Sequence, residues 1–183
     1  FNPVKIMVSE KYVRGVPGGV GFAKTGGNYA ASNLAEKEAK ELGYTQVLWL
    51  DGVERRYIEE VGAMNIFFVI NDEIVTPQLT GSILPGITRM SVLELGKLWG
   101  LEVKEIRITI DEVLNGLKEG TVTEVFGAGT AAVITPVGIL SYKGEDYLIG
   151  NGETGPVATR FYEHLTGIQY GKEKDPFGWV EEI

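Results

Sequence analysis

Apolar and polar residues alternate along this chain with two different periods, which together predict a mixed fold. Apolar residues three or four positions apart predict amphipathic helices, and short apolar runs or strict alternation predict strands. The spans with helical spacing are Asn28–Leu42, Ile87–Trp99, Asp111–Leu117 and Pro156–Gly167. The spans with strand-like patterns are Lys5–Val8, Tyr12–Val16, Gln46–Leu50, Tyr57–Glu60, Ile66–Ile70, Glu73–Thr76, Leu101–Thr109, Glu124–Phe126, Ala132–Pro136, Ile139–Tyr142 and Tyr147–Ile149. Helices and strands mixed along one chain, without an internal repeat or linker, indicate one α+β domain.

The first predicted helix has two chemically different faces. Glutamate and lysine four residues apart, at Glu36 and Lys40 and again at Lys37 and Glu41, indicate a solvated face. Gly43 is a suitable C-terminal stop. The apolar residues at helical spacing, which we expect to face the core, are Ala31, Leu34, Ala35, Ala39 and Leu42.

Size and charge narrow the classes of function. The 183 residues suit one domain, and the net charge of −8 results from 17 basic and 25 acidic side chains. A nucleic-acid groove needs clustered lysine and arginine, which this sequence lacks. No apolar run approaches the roughly 18 residues of a membrane span, and no signal-peptide pattern opens the chain. We therefore expect a cytoplasmic protein with neither membrane nor nucleic-acid partners.

Cysteine is absent, and the single histidine is His164. Disulfides, a thiol nucleophile and a Cys/His zinc site are therefore excluded, and we expect no metal site. A Ser-His-Asp triad could use only His164, which lies in a predicted amphipathic helix and is expected to be structural or on the surface. Acid–base chemistry must then come from lysine, aspartate, glutamate or tyrosine.

The segment Gly18–Tyr29 carries the clearest chemical signal, because Lys24 stands between two glycine clusters with Tyr29 five residues on. Glycine lets the backbone approach a ligand closely, and lysine is the side chain that forms Schiff bases with carbonyl compounds. The pattern favours a covalently held aldehyde cofactor. A surface lysine in a flexible loop is an equally simple interpretation, and the segment also has a partial likeness to a nucleotide-binding P-loop, with Ala23 where that motif requires glycine.

Three further segments could meet Lys24 at one ligand. Glu59–Asn65 offers a carboxylate for a heteroaromatic nitrogen, or simply a pair of turn acids. Leu84–Arg89 places free N–H groups at a helix start, where a phosphate is commonly held, or is an ordinary start capped by Thr88. Gly127–Ala132 is a turn of small residues that can bind an anion, or a plain tight turn. One lysine, one acid and two anion-binding turns together fit a pyridoxal phosphate site.

These segments also carry a family resemblance. Lys24–Tyr29, Glu60–Asn65, Leu84–Arg89 and Gly129–Ala132 resemble the signatures of the branched-chain amino acid aminotransferases, which are pyridoxal phosphate enzymes of fold type IV. The resemblance spans essentially the whole chain and implies short strands in a pseudo-barrel-like sheet flanked by helices. D-amino-acid transaminases and aminodeoxychorismate lyases share this fold and resemble the chain less.

The resemblance assigns three residues to the cofactor's ring. Lys24 forms the Schiff base with pyridoxal phosphate and carries the proton between the substrate Cα and the cofactor. Tyr29 donates a hydrogen bond to the cofactor's phenolic oxygen, and Glu60 pairs with the pyridine nitrogen.

The resemblance assigns the remaining residues to anionic groups. The amides of Ile87 and Thr88 and the hydroxyl of Thr130 bind the cofactor phosphate, with Arg14 expected nearby. Backbone amides of one turn receive the substrate carboxylate. That turn consists of Thr130, Ala131 and Ala132.

The implied function is transamination of leucine, isoleucine and valine with 2-oxoglutarate in a homodimeric enzyme. Family members carry a smaller N-terminal domain ahead of the region matched here, and the chain begins with Phe1 rather than methionine. We therefore expect residues 1–183 to be the large cofactor-binding domain, with little or no activity by itself. The alternatives are another fold type IV enzyme or a non-catalytic structural or partner-binding domain.

Overall fold

The computed structural model describes residues 1–181, which contain nine strands and four helices. The strands are β1 (Val4–Val8), β2 (Gln46–Leu50), β3 (Ile58–Val61), β4 (Met64–Ile70), β5 (Glu73–Pro77), β6 (Val103–Ile106), β7 (Val122–Gly129), β8 (Val133–Tyr142) and β9 (Glu145–Leu148). The helices are α1 (Gly26–Glu41), α2 (Ile87–Leu98), α3 (Ile110–Glu119) and α4 (Pro156–Gln169). Most predicted elements are confirmed, with ends that differ by a few residues, but the predicted strands Ala132–Pro136 and Ile139–Tyr142 are one continuous strand, β8.

One sheet contains all nine strands and closes on itself. The strand order is β3-β2-β1-β8-β7-β4-β5-β6, and an additional pairing of β3 with β4 joins the first strand of that series to the sixth. Six strands thus form a barrel-like ring, β5 and β6 extend it, and β9 pairs with β8. The α+β fold with a barrel-like sheet flanked by helices is confirmed.

The helices cover apolar clusters on both faces of this sheet. Consecutive strand residues point to opposite faces, so Phe68 belongs to the cluster that includes Val113 of α3, whereas Phe67 belongs to the cluster beneath α2 and α4. A smaller cluster packs Ala39 of α1 against Trp49 of β2.

The predicted strand Tyr12–Val16 is wrong. This segment follows an irregular path, in which the Ser9 hydroxyl exchanges hydrogen bonds with the backbone of Tyr12 at 2.8 and 3.0 Å. Arg14 turns its side chain into the protein and is buried. The apolar residues around Arg14 imitate a strand, but the inward arginine needs carbonyl and carboxylate partners that a ladder position would not give it.

Of the five residues expected to face the core on the first helix, only Ala35 and Ala39 are buried. Leu34 and Leu42 are exposed, at 53% and 67% of their full accessibility. Polar residues take their place because the N-terminal half of α1 packs against a loop whose carbonyl groups need donors. The buried residues of α1 are Asn28, Ser32, Ala35 and Ala39.

The long strand predicted over Leu101–Thr109 is shorter in the structure, because its last residue starts the next helix instead. Thr109 is the N-cap of α3 and forms a capping box with Glu112, whose backbone N–H donates to the Thr109 hydroxyl at 3.2 Å. The strand itself is limited to β6. A threonine three residues before a glutamate is a helix-start signal, and here it outweighs the alternating pattern before it.

Candidate active site

Glu60 lies on β3 at a β-bulge and not in a turn. In the pairing with β2, Trp49 lies opposite Glu60, and the next pair along is Leu50 with Ile58. Glu59 is therefore an extra residue without a partner on β2. Bulges of this kind re-aim side chains and are enriched beside active sites. Both carboxylates lie on this strand and are buried, so the interpretation of them as a pair of turn acids does not hold.

Asn65 connects Glu60 to the segment that leads into α2. Glu60 pairs with Asn65 across the β3–β4 turn, so the two side chains share one face of the sheet. The Asn65 side-chain amide donates to the carbonyl of Leu84 at 2.8 Å and lies 3.4 Å from Glu60 Oε1. A Cβ on Gly86 would overlap Asn65 Oδ1, so only glycine permits this close approach.

Arg14 connects Glu60 to the loop that carries Lys24. Its Nη1 lies 2.5 Å from Glu60 Oε2 and donates to the carbonyls of Gly21 at 3.2 Å and Ser82 at 3.3 Å. The resemblance places Arg14 near a phosphate. In this structure its guanidinium contacts the acid expected to face the ring nitrogen, together with two neighbouring loops.

The buried carboxyl of Glu60 is incompletely satisfied. It is 1% exposed, and burial raises its pKa to about 8, with the neighbouring Glu59 adding to the shift and the Arg14 guanidinium opposing it. Within residues 1–181, Glu60 Oε2 accepts no well-aligned hydrogen bond despite the short ion pair. A carboxyl in this state would gain free energy from a hydrogen-bond donor that carries positive charge.

Lys24 lies in the loop immediately before α1. Asn28 holds this loop by donating its side-chain amide to the carbonyls of Val20 at 2.8 Å and Ala23 at 2.7 Å. The Lys24 amine lies 5.6 Å from the centre of the Tyr29 ring. Lys24 is exposed, and in the described part of the chain it forms no ion pair. The amine is thus accessible and near a phenol, although the protein does not enclose it.

The N-terminus of α2 has free backbone donors. Gly86 is the N-cap and no side chain caps the helix, so the suggested cap by Thr88 is wrong. Ile87 and Thr88 are the first two helical residues, and their N–H groups have no carbonyl partner within the helix. These donors and the helix dipole together favour an anion at this point.

The predicted fourth turn is shorter than expected. Gly127–Gly129 belongs to β7, where Gly127 pairs with Thr135, and the turn itself is limited to Thr130–Ala132. This turn is exposed and is followed by Val133 with a φ of 57°. A β-branched residue rarely adopts a positive φ, and strain of this kind is concentrated at ligand sites.

The contacts described above bring the four predicted segments together. Arg14 connects the Lys24 loop to Glu60, and Asn65 connects Glu60 to the start of α2. The Thr130–Ala132 turn begins two residues after the β7 position that pairs with Asn65. The site therefore lies between the N-terminal ends of α1 and α2, on one face of the barrel.

Two other interpretations of the sequence lack their structural context. A P-loop connects a strand directly to a helix, but the glycine-rich loop before α1 follows the irregular segment that contains Arg14. His164 packs edge-on against Trp99, with ring centres 5.4 Å apart, as expected for a structural histidine.

Three residues of the site, Glu59, Asn65 and Ser82, have no individual role assigned from the sequence. Asn65 had a usable signal, since it is a polar residue at the start of a run of apolar strand positions. Ser82 has no such signal, because its partners come from distant parts of the chain.

Comparison with known proteins decides the family. A family model described as amino-transferase class IV matches residues 5–140. The chain belongs to the class IV aminotransferase family. The resemblance identified from the sequence motifs is thus confirmed, and the segments that form the site fall within the matched region.

Similar proteins narrow the comparison to one branch of the class IV aminotransferases. Branched-chain-amino-acid transaminase 1 of Bacillus subtilis (strain 168) is 58% identical over all 183 residues, which cover 51% of that protein. A probable branched-chain-amino-acid aminotransferase of Staphylococcus aureus (strain N315) is 59% identical over 98% of this chain and 50% of its own length. The chain therefore spans about half the length of the curated relatives it matches.

Solved structures of class IV aminotransferases have the same fold. The branched-chain amino acid aminotransferase of Escherichia coli gives a TM-score of 0.84 at 36% identity, over 98% of this chain and 55% of that one. The branched-chain amino acid aminotransferase of Thermoproteus uzoniensis, solved with norvaline, gives 0.81 at 28% identity, over 98% and 55%. A further branched-chain enzyme, complexed with N-(5'-phosphopyridoxyl)-L-glutamate, gives 0.82 at 34% identity, over 98% and 56%. Within the described residues, no helix is both long and apolar enough to cross a membrane.

Proposed function

We propose that this chain is the pyridoxal phosphate-binding large domain of a branched-chain amino acid aminotransferase. The observation that carries the proposal is the convergence of an accessible lysine, a buried and incompletely satisfied carboxyl, and an uncapped helix N-terminus at one site. In the intact enzyme the substrates are leucine, isoleucine or valine with 2-oxoglutarate, and the enzyme is a cytoplasmic homodimer. The names of the relatives support the choice of substrates.

The residues of the site fit the chemical groups of pyridoxal phosphate. An aldehyde suits the Lys24 amine, a protonated ring nitrogen suits the buried Glu60 carboxyl, and a phosphate suits the first N–H groups of α2. The bound group supplies an electron-withdrawing ring that stabilises negative charge at the substrate Cα. The phosphate oxygens would also accept a hydrogen bond from the Thr130 hydroxyl.

Lys24 has the two roles that require a movable amine. Its Nζ would hold an aldehyde covalently, with loss of water, and the same amine, once released, could accept a proton from the substrate Cα. A lysine performs this work only when it is not protonated. The phenol of Tyr29, close to the amine, orients the cofactor's ring oxygen.

Glu60 holds the ring nitrogen in its protonated form. The raised pKa of about 8 means that Glu60 carries its own proton near neutral pH in the cofactor-free protein. A ring nitrogen held beside this carboxyl would be stabilised in its protonated form by the negative charge of the ionised carboxylate. Arg14 and Asn65 would keep the carboxyl oriented toward it.

Backbone donors hold the two anionic groups. The amides of Ile87 and Thr88 bind the phosphate at the dipole-positive end of α2. The substrate carboxylate lies at the Thr130–Ala132 turn, and the amides of Ala131 and Ala132 donate to it.

The cofactor assignment is tested by mixing the purified chain with pyridoxal phosphate and recording the visible spectrum. We expect a visible band that Lys24→Ala abolishes, and reduction with borohydride should attach the cofactor's mass to Lys24 alone. Lys37→Ala, which removes an exposed lysine on α1, is the matched control and should leave the band unchanged. A band that survives in Lys24→Ala contradicts the assignment.

The domain assignment has a separate test. We propose that residues 1–183 bind the cofactor but transaminate weakly by themselves, because they span half the length of the relatives. The assay combines the chain, pyridoxal phosphate, leucine and 2-oxoglutarate and measures glutamate formation. Turnover comparable with that of a full-length relative refutes this part of the proposal.

A further inference from the structure

Glu59 and Glu60 are consecutive residues with buried side chains. Arg14 lies against Glu60 and also contacts the backbone of Ser82 in the neighbouring loop. Glu59 is 5% exposed, and burial raises its pKa, an effect that the nearby Asp51 increases and that Arg14 and Arg107 oppose. Adjacent buried carboxyls disfavour simultaneous ionisation. The Arg14 guanidinium contacts Glu60 directly, whereas Glu59 accepts a hydrogen bond from Ser82.

Ser82 connects Glu59 to the rest of the site. Its hydroxyl donates a short hydrogen bond to Glu59 Oε1 and lies 3.1 Å from the hydroxyl of Thr80. Its carbonyl accepts from Arg14 Nη1 at 3.3 Å. The same carbonyl packs against Gly21, where a Cβ would overlap it. A displacement of Ser82 would therefore move both Arg14 and the loop that carries Lys24.

We propose that Glu59 is a positioning residue, which fixes Ser82 through the hydrogen bond to its hydroxyl and thereby holds Arg14 against Glu60. The bulge makes this possible, because it inserts Glu59 beside Glu60 instead of leaving it paired on β2. This inference rests on the proposed cofactor site, since its consequence is a Glu60 carboxyl presented in the orientation that binds a ring nitrogen.

Alternative roles for Glu59 are less consistent with its contacts. Glu59 also lines a cavity of about 330 Å³ together with Glu54, Tyr57 and Arg107. Arg107, however, stacks over the Tyr57 ring at 3.6 Å and pairs with Glu54 at 3.3 Å, so its guanidinium already has partners other than Glu59. The hydrogen bond that Glu59 accepts comes instead from Ser82, whose carbonyl contacts Arg14.

The test compares variants that keep or remove the acceptor at Oε1. Glu59→Gln keeps an oxygen for the Ser82 hydroxyl, whereas Glu59→Ala and Ser82→Ala each remove the hydrogen bond from one side. We expect the dissociation constant for pyridoxal phosphate to rise about tenfold in each alanine variant and to stay within about twofold in Glu59→Gln. The double variant should bind no more weakly than the poorer single variant, because both changes break the same connection.

Controls separate this role from general destabilisation. Glu54→Gln alters an exposed carboxylate of the same cavity and should leave cofactor binding unchanged. A purely structural role for Glu59 predicts additive losses from Glu59→Ala and Ser82→Ala and no specific rescue by glutamine. Additive losses, wild-type binding in Glu59→Ala, or equal losses in Glu59→Gln and Glu59→Ala each overturn the proposal. If Glu59→Ala does not fold, Ser82→Ala compared with Glu59→Gln decides the question.

Failure of the cofactor assignment can be distinguished from failure of this inference. If the unaltered chain shows no Lys24-dependent binding, the proposed function fails, and the test moves to urea unfolding of the cofactor-free protein. Glu59→Ala and Arg14→Met should then have non-additive effects on the free energy of unfolding, because Ser82 couples the two side chains. Additive effects, such as we expect for Glu54→Ala with Arg14→Met, would falsify the inference.

Discussion

The raised pKa of Glu60 predicts that the cofactor-free protein becomes less stable as the pH increases. The folded protein holds the Glu60 proton more tightly than the unfolded chain does, because burial penalises the ionised carboxyl. Protonation is therefore linked to folding over the interval between the ordinary pKa of 4.5 and the folded value of about 8. Below this interval the carboxyl carries its proton in both states and stability no longer depends on it.

The magnitude follows from the size of the pKa change. A rise from 4.5 to about 8, at about 1.4 kcal/mol per pKa unit, corresponds to a loss of at most roughly 5 kcal/mol of unfolding free energy across that interval. That pKa already includes the attraction between the ionised carboxyl and Arg14, and an assay between about pH 5 and pH 8 covers only part of the change. We expect a measured decrease of about 2 to 4 kcal/mol, still a large part of a domain's stability.

The perturbation that isolates this effect is Glu60→Gln, which keeps the size of the side chain and removes its proton equilibrium. The assay is urea unfolding of the cofactor-free chain at several values between about pH 5 and pH 8, with both proteins compared at each pH. Near pH 5 the two proteins should have similar stability. Near pH 8 the glutamine variant should be the more stable by the amount given above.

Other titrating groups change the unfolding free energy of the wild type and of Glu60→Gln in the same way, so their effects cancel when the two proteins are compared. Glu59 is the group most capable of confounding the comparison, because its pKa is also raised by burial and it interacts with Glu60. A Glu59→Gln background removes that contribution. A difference between wild type and Glu60→Gln that stays constant from pH 5 to pH 8 refutes the reasoning, since it would mean that Glu60 is ionised in the folded protein throughout.

Two further predictions concern the supports of the site. Thr109→Ala removes the capping box at the start of α3 and should lower the unfolding free energy by about 1 kcal/mol in thermal or urea denaturation. Thr109→Ser keeps the hydroxyl and should retain most of that stability. Equal losses in both variants would contradict the role of the hydroxyl. Gly21→Ala places a Cβ on the Ser82 carbonyl and should lower the unfolding free energy by about 1 to 3 kcal/mol and weaken cofactor binding. Gly26→Ala adds its Cβ in open space and is the control. A Gly21→Ala protein as stable as this control would show that the two loops are not in close contact.

Much of the local structure could be predicted from the sequence, because periodicity and end signals act over a few residues. The span of α2, the turn at Asn71 and Asp72 with positive φ at both residues, and the pairing of β8 with β9 all follow from such signals. The four segments that form the candidate site could also be named, since lysine between glycines and small residues in turns are local patterns.

Contacts between distant segments could not be predicted in this way. Arg14 interrupts an apparent strand because its partners, Glu60 and Ser82, come from elsewhere in the chain. Leu34 on α1 is exposed for a similar reason. Asn28, on the polar side of the helix, donates a hydrogen bond to the preceding loop and so fixes which side of the helix faces the protein.

The sequence by itself determined most of the elements, the class of the fold and the residue types available for chemistry. The tertiary structure decided how those residues act together. The register of β2 against β3 creates the bulge that buries Glu59 and Glu60 next to each other, and the closure of β3 onto β4 brings Asn65 beside them. Strand register and closure depend on pairing between separated segments, and the pKa of a carboxyl depends on what that pairing buries, so neither is encoded in any short stretch of the chain.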